Sequence, residues 1–485
     1  MWLNDSSPVW TRAVGMSLSD RDDIRIEHDL LGDCAVPRTA LHGAHTQRAL
    51  SNVALSGRPL HPGIIRAFGA VKRACARTNM NLGHLSREVA EAIIMACDEL
   101  EDGELCRHIV VDALQGGAGT SANMNVNEVL ANRAEEMLGG TRGQYQFVDP
   151  LAHVNLHQST NDVFPTAVRI AALRLLARLE PAIAALQAAF QTHEASFAQV
   201  VRLGRTQLQD AVPMTFGAAC GAWAEALSRD RWRVFKCSER LRVVNLGGTA
   251  IGTGIAAPRS YILSVVDRLR EDTCLPLARA ENLMDATQNV DAFVEVSGIL
   301  KAHASNLLKL SSDLRLLASG PGGGIGEVVL PPVQAGSSIM PGKVNPVVCE
   351  TVAQAAMQAT ANDLAITLSA QHGQFELNAF MPLIADALLH GIELLTNACD
   401  LFRTRCVEGL HPDTETCARH VSTSTATLTA LVPEIGYAAA SEMARHMREH
   451  GTDVFGAAKA TGLIDEDRLA GLLSPERLTV LGYKG

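Results

Sequence analysis

The sequence predicts an all-α fold, and three observations carry that expectation. Apolar residues recur at steps of three and four over stretches much longer than a strand. Strand-like alternation is scarce. Aromatic residues make up only 4% of the 485 positions, and strands are usually enriched in them. Taken in chain order, a first long pattern begins at Pro165, a residue suited to a first helical turn, and continues through Ile170, Leu173 and Leu176. A second runs Phe293, Val296, Leu300, Ala304, Leu307, Leu314 and Leu317, with polar Ser311 filling one turn and no proline inside. A third follows Pro346 through Val348, Val352, Ala355, Ala356 and Ala359, where alanine lets helices approach closely. Breaks fall at 139–150, rich in Gly, and at 409–412. They suggest an N-terminal helical domain over 1–155, a central long-helix bundle over 156–410 and a small C-terminal helical domain over 411–485. No internal repeat or low-complexity linker is visible.

Composition narrows the function. The chain has 42 Lys+Arg against 52 Asp+Glu, a net charge of -10. An acidic chain without a basic run is a poor partner for nucleic acid or an anionic membrane surface, so any anionic substrate must meet local positive groups. Residues 1–23 lack the basic start and apolar core of a signal peptide. The most apolar stretch, 164–190, is broken by Arg169, Arg174, Arg178 and Glu180, so no membrane span is expected. Eleven cysteines without a CxxC pair argue against a disulfide scaffold or zinc knuckle and fit a reduced, cytoplasmic enzyme. No HExxH or GxSxG occurs, and His153 and His157, four apart, read as solvated or capping rather than as metal ligands.

Four segments interrupt the helical pattern with Gly, Ser, Thr, Asn, Gln or Lys. Residues 116–128 place Thr120 and Ser121 at the start of an expected helix, where free N–H groups favour an anion; an ordinary N-cap would look the same. Residues 157–165 present Ser159, Thr160 and Asn161 before a helix, again compatible with capping alone. Residues 204–213, with Thr206 and Gln207, read as a polar connection between helices. Residues 336–346 say most: two glycines and two prolines define turns, while Ser337, Ser338, Lys343 and Asn345 gather a base or nucleophile, a cation and hydrogen-bond donors. The nearby run 320–326 mimics a phosphate cradle but lacks the Lys-Ser/Thr of a P-loop and follows no strand, so it reads as a flexible connection.

These segments resemble the aspartase/fumarase superfamily. The 336–346 loop is similar to its signature, and residues 119–128, 158–162, 204–213 and 245–254 match in the family's order, as do 25–32 and 46–49. The resemblance spans nearly the whole chain. It implies an all-α, three-domain homotetramer whose long central helices form one core bundle, with each active site assembled from three subunits. It implies anti-elimination from a succinyl skeleton, usually releasing fumarate. Ser337 then corresponds to the general base. Lys343, Asn345, Thr120, Ser159, Thr160, Asn161 and Thr206 correspond to groups that hold substrate carboxylates or the leaving group. Ser338 and Met340 lie in the closing loop, and Glu350 matches a carboxylate near the site in fumarases.

Within the superfamily, Gln207 stands where fumarases usually carry His and aspartases carry Gln or His, and Met381 stands where fumarases usually carry Lys and aspartases often Glu, matching neither. The runs 244–247 and 473–478 look more like aspartases, and the fumarase accessory-site stretch is unmatched around 149–152. The expected reaction is release of ammonia from L-aspartate, with the amine near Asn161 and Gln207 a second candidate contact. Hydration of fumarate, a lyase reaction on a substituted aspartate, and a silent structural tetramer are the alternatives; intact Ser337, Lys343 and Asn345 weigh against the last. The chemistry calls for no cofactor, although Mg²⁺ activates some members.

Overall fold

The structure, a computed structural model, describes residues 23–483. Residues 1–22, which hold nearly all of the stretch read above for a signal peptide, lie outside the described residues. The chain opens with an antiparallel hairpin, β1 (Ile24–Asp29) and β2 (Gly32–Pro37), paired from Ile24↔Pro37 to Asp29↔Gly32. Helices α1 (Ala44–Asn52), α2 (Pro62–Asn81), α3 (Arg87–Asp102), α4 (Thr120–Met137) and α5 (Thr160–Ser196) follow. A second hairpin, β3 (Val201–Thr206) and β4 (Gln209–Thr215), leads into α6 (Phe216–Leu241). Then come β5 (Val243–Val244), α7 (Arg259–Thr273), β6 (Ala278–Arg279), α8 (Leu283–Gln288) and α9 (Asp291–Leu317). The remainder is β7 (Val328–Val329), α10 (Val347–Gln371), α11 (Met381–Phe402), β8 (His411–Pro412), α12 (Thr414–Thr423), α13 (Val432–His450), α14 (Val454–Thr461), α15 (Glu466–Leu472) and α16 (Pro475–Leu478). Strands occur only in two-stranded pairs among the described residues, so the fold class is the all-α one expected.

Two compact units emerge. Among the described residues, the first gathers those up to Arg178, Phe235–Leu300 and Thr360–Glu393; the second gathers Leu179–Val234, Lys301–Ala359 and those from Leu394 onward. In the first, Pro62 opens α2 and the His61 ring accepts a hydrogen bond from Gly63 N–H, satisfying one free donor of that end. Ser86 caps α3, and Gly103 closes it in the left-handed conformation at φ +100°. Helices α2 and α3 pack so closely at Gly69 that an added Cβ would meet Cys97 O at 2.8 Å. In the second unit, Phe190 packs edge-on to Trp223 and Phe402, with ring centroids 5.6 and 6.3 Å away. Met443, Val454 and Leu469 belong to a separate apolar cluster formed by the C-terminal helices.

The apolar stripe of α9 is buried from Phe293 to Leu317, Ser311 included. Helix α10 begins directly after Pro346 as its pattern predicts. Two local expectations change. Helix α5 begins at Thr160, not at Pro165, because Ser159 O accepts Asp162 and Val163 N–H while Asp162 Oδ1 accepts Ser159 N–H. Pro165 therefore sits in the second turn, where it has no N–H for the carbonyl of Asn161. That carbonyl accepts from Asn245 Nδ2 instead, at 2.9 Å. The second change is at 204–213, which is not a bare connection but the β3–β4 hairpin. Gln207 and Leu208 turn it at φ +54° and +61°, the sign a tight hairpin turn needs, without a glycine.

Gly119 fixes how α4 starts. It lies at φ +94°, and an added Cβ would stand 2.3 Å from the Phe164 ring. Gly119→Ala should lower stability by more than about 2 kcal/mol, from strain and overpacking together. Thermal melts should show Phe164→Leu recovering part of the loss in the double variant and the strain at φ persisting.

Candidate active site

In the first unit two helix N-termini lie side by side. Helix α4 begins at Thr120, and its Asn123 Nδ2 donates to the Thr160 hydroxyl at the start of α5, at 3.2 Å. Several first-turn N–H groups are already capped, Ala122 N–H by Gln115 Oε1 and Asn161 N–H by the Ser159 hydroxyl, so what both ends offer the region of Thr120, Ser159, Thr160 and Asn161 is chiefly their partial positive charge. Thr120 Oγ1 donates to Gly117 O at 2.6 Å, which fixes the hydroxyl's direction. The Ser159 hydroxyl accepts from Asn161 N–H at 3.2 Å, and Asn161 Nδ2 donates to Ala250 O at 2.7 Å. The structure thus brings these four expected residues to one place.

What holds them there is a set of buried groups that sequence reasoning missed. Asp162 is fully buried, and its Oδ2 accepts Gly247 N–H at 3.1 Å and Thr249 N–H at 3.0 Å. Burial raises its pKa to about 6, against the opposing pull of those N–H donors. Asn245 Nδ2 bridges Asn161 O and the Thr287 hydroxyl. The 245–254 segment, recognised from sequence without a role, is thus the buttress of Ser159–Thr160–Asn161. Lys72 on α2 is fully buried, and its ammonium donates to Asn155 Oδ1 at 3.1 Å and Gln158 Oε1 at 2.9 Å. Burial pushes its pKa down to about 8. A lysine inside the apolar run Ile64–Ile65–Phe68–Val71–Cys75 is the one sequence signal that pointed to it. His153 caps Asp149 N–H, as the capping reading of that pair expected, and His157 contacts Asn79 Oδ1 at 2.7 Å.

The second unit holds the other seven expected residues in two groups. Thr206 and Gln207 are exposed at the tip of the β3–β4 hairpin. Ser337, Ser338, Met340, Lys343 and Asn345 occupy the loop before α10. The loop is a closed ring: Gly336 N–H donates to Lys343 O at 2.8 Å, and Asn345 Nδ2 donates to Gly336 O at 2.7 Å. A Cβ on Gly336 would meet Lys343 O at 2.7 Å, so glycine serves close approach here. Inside the ring, Ser337 Oγ accepts Ile339 N–H at 3.2 Å and Met340 N–H at 2.9 Å. Ser337 is half-buried and Lys343 exposed, beside an open concavity of about 540 Å³ that both line. Glu350 pairs with Arg315 at 3.4 Å. Met381 is buried at the start of α11 and offers no polar group.

Chemically, the first-unit set can bind carboxylates through neutral donors and helix ends. The second-unit loop can hold a negative charge on a serine oxygen. Among the described residues, no three of His, Cys, Asp and Glu converge to hold a metal ion.

A sequence profile described as "Lyase" matches residues 32–361, and one described as "Fumarase C C-terminus" matches 428–480. The chain is 46% identical to an aspartate ammonia-lyase of Pseudomonas aeruginosa, over 94% of this chain and 96% of that protein. It is 42% identical to the aspartate ammonia-lyase of Escherichia coli, over 96% and 98%. Among solved structures, a fumarate lyase:delta crystallin from Brucella melitensis bound to cobalt superposes with a TM-score of 0.91 at 45% identity, covering 94% of this chain and 100% of that one. A class II fumarase from Schistosoma mansoni gives 0.88 at 33% identity, covering 94% and 99%.

The raised pKa of Asp162 has a signed consequence. In the folded state it binds a proton from about 6 downward, against 3.8 for the ordinary group. Stability from the protonated form is complete below pH 4 and is lost as pH rises through 6. The advantage of wild type over Asp162→Asn should therefore shrink by about 3 kcal/mol in all, from well below pH 4 to well above pH 6, with about 2 kcal/mol of it between the two. Denaturant titrations of both proteins at several pH values check this.

Proposed function

The chain belongs to the lyase family that those proteins share, and from that premise we propose that Ser337 starts the elimination of ammonia from L-aspartate. The protein is an aspartate ammonia-lyase, a carbon–nitrogen lyase; curated relatives of that activity are 40% to 46% identical over nearly its whole length. The difficult step is removal of a weakly acidic Cβ proton. Ser337 as alkoxide takes that proton on Oγ. The electron pair moves onto the adjacent carboxylate, giving an aci-carboxylate dianion. Collapse of the dianion forms the C=C bond of fumarate and breaks the C–N bond, so the amine leaves as ammonia.

The observation that carries this reading is the pair of backbone N–H groups on Ser337 Oγ. They stabilise the oxygen most when it is charged, which is what a serine base requires. Lys343 adds a cation on the same ring. Thr120, Ser159 and Thr160, with the ends of α4 and α5, suit the carboxylate on which charge develops. Asn161, Thr206 and Gln207 are assigned to the carboxylate and amine contacts, and Asn345 and the Met340 backbone to substrate contacts from the loop. Ser338 belongs to the part of the loop that closes and expels water.

The assembly is a homotetramer with active sites shared between subunits. Met357, Leu364 and Leu368, spaced along α10, are exposed in the single chain and need cover. Thr206, Gln207 and Lys343 are likewise too exposed for a water-free site made by one chain. Proton removal and C–N cleavage pass no electrons to a carrier, so no cofactor is required; Mg²⁺ is an activator to test. The acidic balance and eleven cysteines free of disulfides fit a cytoplasmic enzyme. No helix among the described residues is long and apolar enough to cross a membrane.

Ultraviolet detection of fumarate tests the reading. L-Aspartate should release fumarate and L-malate should not. Release from L-malate alone would make the protein a fumarase and remove Gln207 from the amine.

A further inference from the structure

Glu327 is fully buried between the end of α9 and β7, and two arginines and a histidine surround its carboxylate. Arg205 donates from both guanidinium ends, Nη1 to Oε2 at 2.8 Å and Nη2 to Oε1 at 2.7 Å. Arg202 Nε donates to Oε2 at 3.2 Å, and the His420 ring sits 2.8 Å from Oε1. Burial works against this charge, but the bonds from Arg205 and His420 win, and the carboxyl lies below its ordinary range.

Both ends of the arrangement lead to the site. Arg205 is the residue before Thr206, at the root of a turn whose Gln207 and Leu208 hold positive φ without glycine. Such a conformation persists only where its surroundings over-determine it. A register shift between Leu203 and Arg205 weakens the strand ladder at that point, so the ladder alone is a poor restraint. The bidentate pair from Arg205 supplies the missing one. On the other side, Glu327 N–H donates to Leu317 O and its carbonyl accepts Asp413 N–H, both at 2.9 Å. These bonds set where the chain leaves for β7 and, ten residues from Glu327, Ser337.

We propose that Glu327 is a positioning residue for the elimination: through Arg205 it holds the strained turn at Thr206–Gln207, and through its own backbone it holds the root of the Ser337 loop. The inference rests on the assignment of Ser337 as base and of Thr206 and Gln207 as substrate contacts. It goes beyond that assignment because Glu327 touches no substrate. Losing its charge leaves every proposed contact group in the chain and displaces them.

The test uses Glu327→Gln, Arg205→Gln and the double variant, assayed with L-aspartate and with L-aspartate deuterated at C3. A displaced site should lower kcat/KM by about 10- to 100-fold, raise KM, and enlarge the deuterium effect on kcat as proton removal becomes the slow step. The double variant should cost no more than the worse single one, because the two residues act as one unit. A merely structural role would lower kcat with the active fraction and leave KM and the isotope effect at wild-type values; that result in the folded variants would overturn the proposal. Arg205→Gln leaves Glu327 its bonds from Arg202 and His420, so it carries the test if Glu327→Gln does not fold. Wild-type protein that released no fumarate from L-aspartate would overturn the functional reading itself, and the proposal with it.

Discussion

Two backbone N–H groups, those of Ile339 and Met340, converge on the Ser337 oxygen at 3.2 and 2.9 Å. An ordinary serine hydroxyl is a feeble base at neutral pH. Fixed dipoles aimed at its oxygen lower the cost of the charged form without reorganising during the reaction. The geometry exists because the loop is closed on itself. Gly336 and Lys343 share a backbone hydrogen bond, Asn345 ties the ring, and Gly342 turns it at φ +77°. Ser337, Lys343 and Asn345 are therefore one structural object and not three separate functional groups.

The proposed substrate-binding side is built on another principle. Its polar groups are neutral and held by buried charges that make no proposed substrate contact. Asp162 draws the backbone at Ser159, Gly247 and Thr249 together, and Lys72 gathers the side chains of Asn155 and Gln158. A buried charge is costly when a partner is lost. Such a framework resists small displacements, and the proposed carboxylate recognition through neutral donors would need that rigidity. Pro165 takes part by subtraction: it leaves the Asn161 carbonyl open to Asn245.

Much of this was legible in the sequence. The stripes at 293–317 and 347–359 gave helices because their apolar spacing is unambiguous. The loop at 336–346 stood out because Gly, Pro, Ser and Asn together have no place inside a helix. Other features were hidden for definite reasons. Pro165 looked like a helix start because proline is common there, and the competing Ser159–Asp162 cap was weaker as a pattern. The hairpin at 201–215 was invisible because its turn uses Gln207 and Leu208, which carry no turn signature, and its strands hold Arg, Gly and Pro. Lys72 could equally have been a surface lysine with a packed stem. Glu327 follows a glycine-rich run that read as a connection, and its partners lie more than 90 residues away in either direction.

The central claim is that Ser337 removes the Cβ proton, and one comparison tests it most directly. Wild type and Ser337→Ala are assayed for fumarate release from L-aspartate, with the binding of a non-reacting dicarboxylate measured in parallel. The account predicts that turnover falls by at least about 10³-fold while binding stays near the wild-type value, since only a transition-state interaction is removed. Retention of most of the turnover with binding unchanged would contradict it and move the base elsewhere.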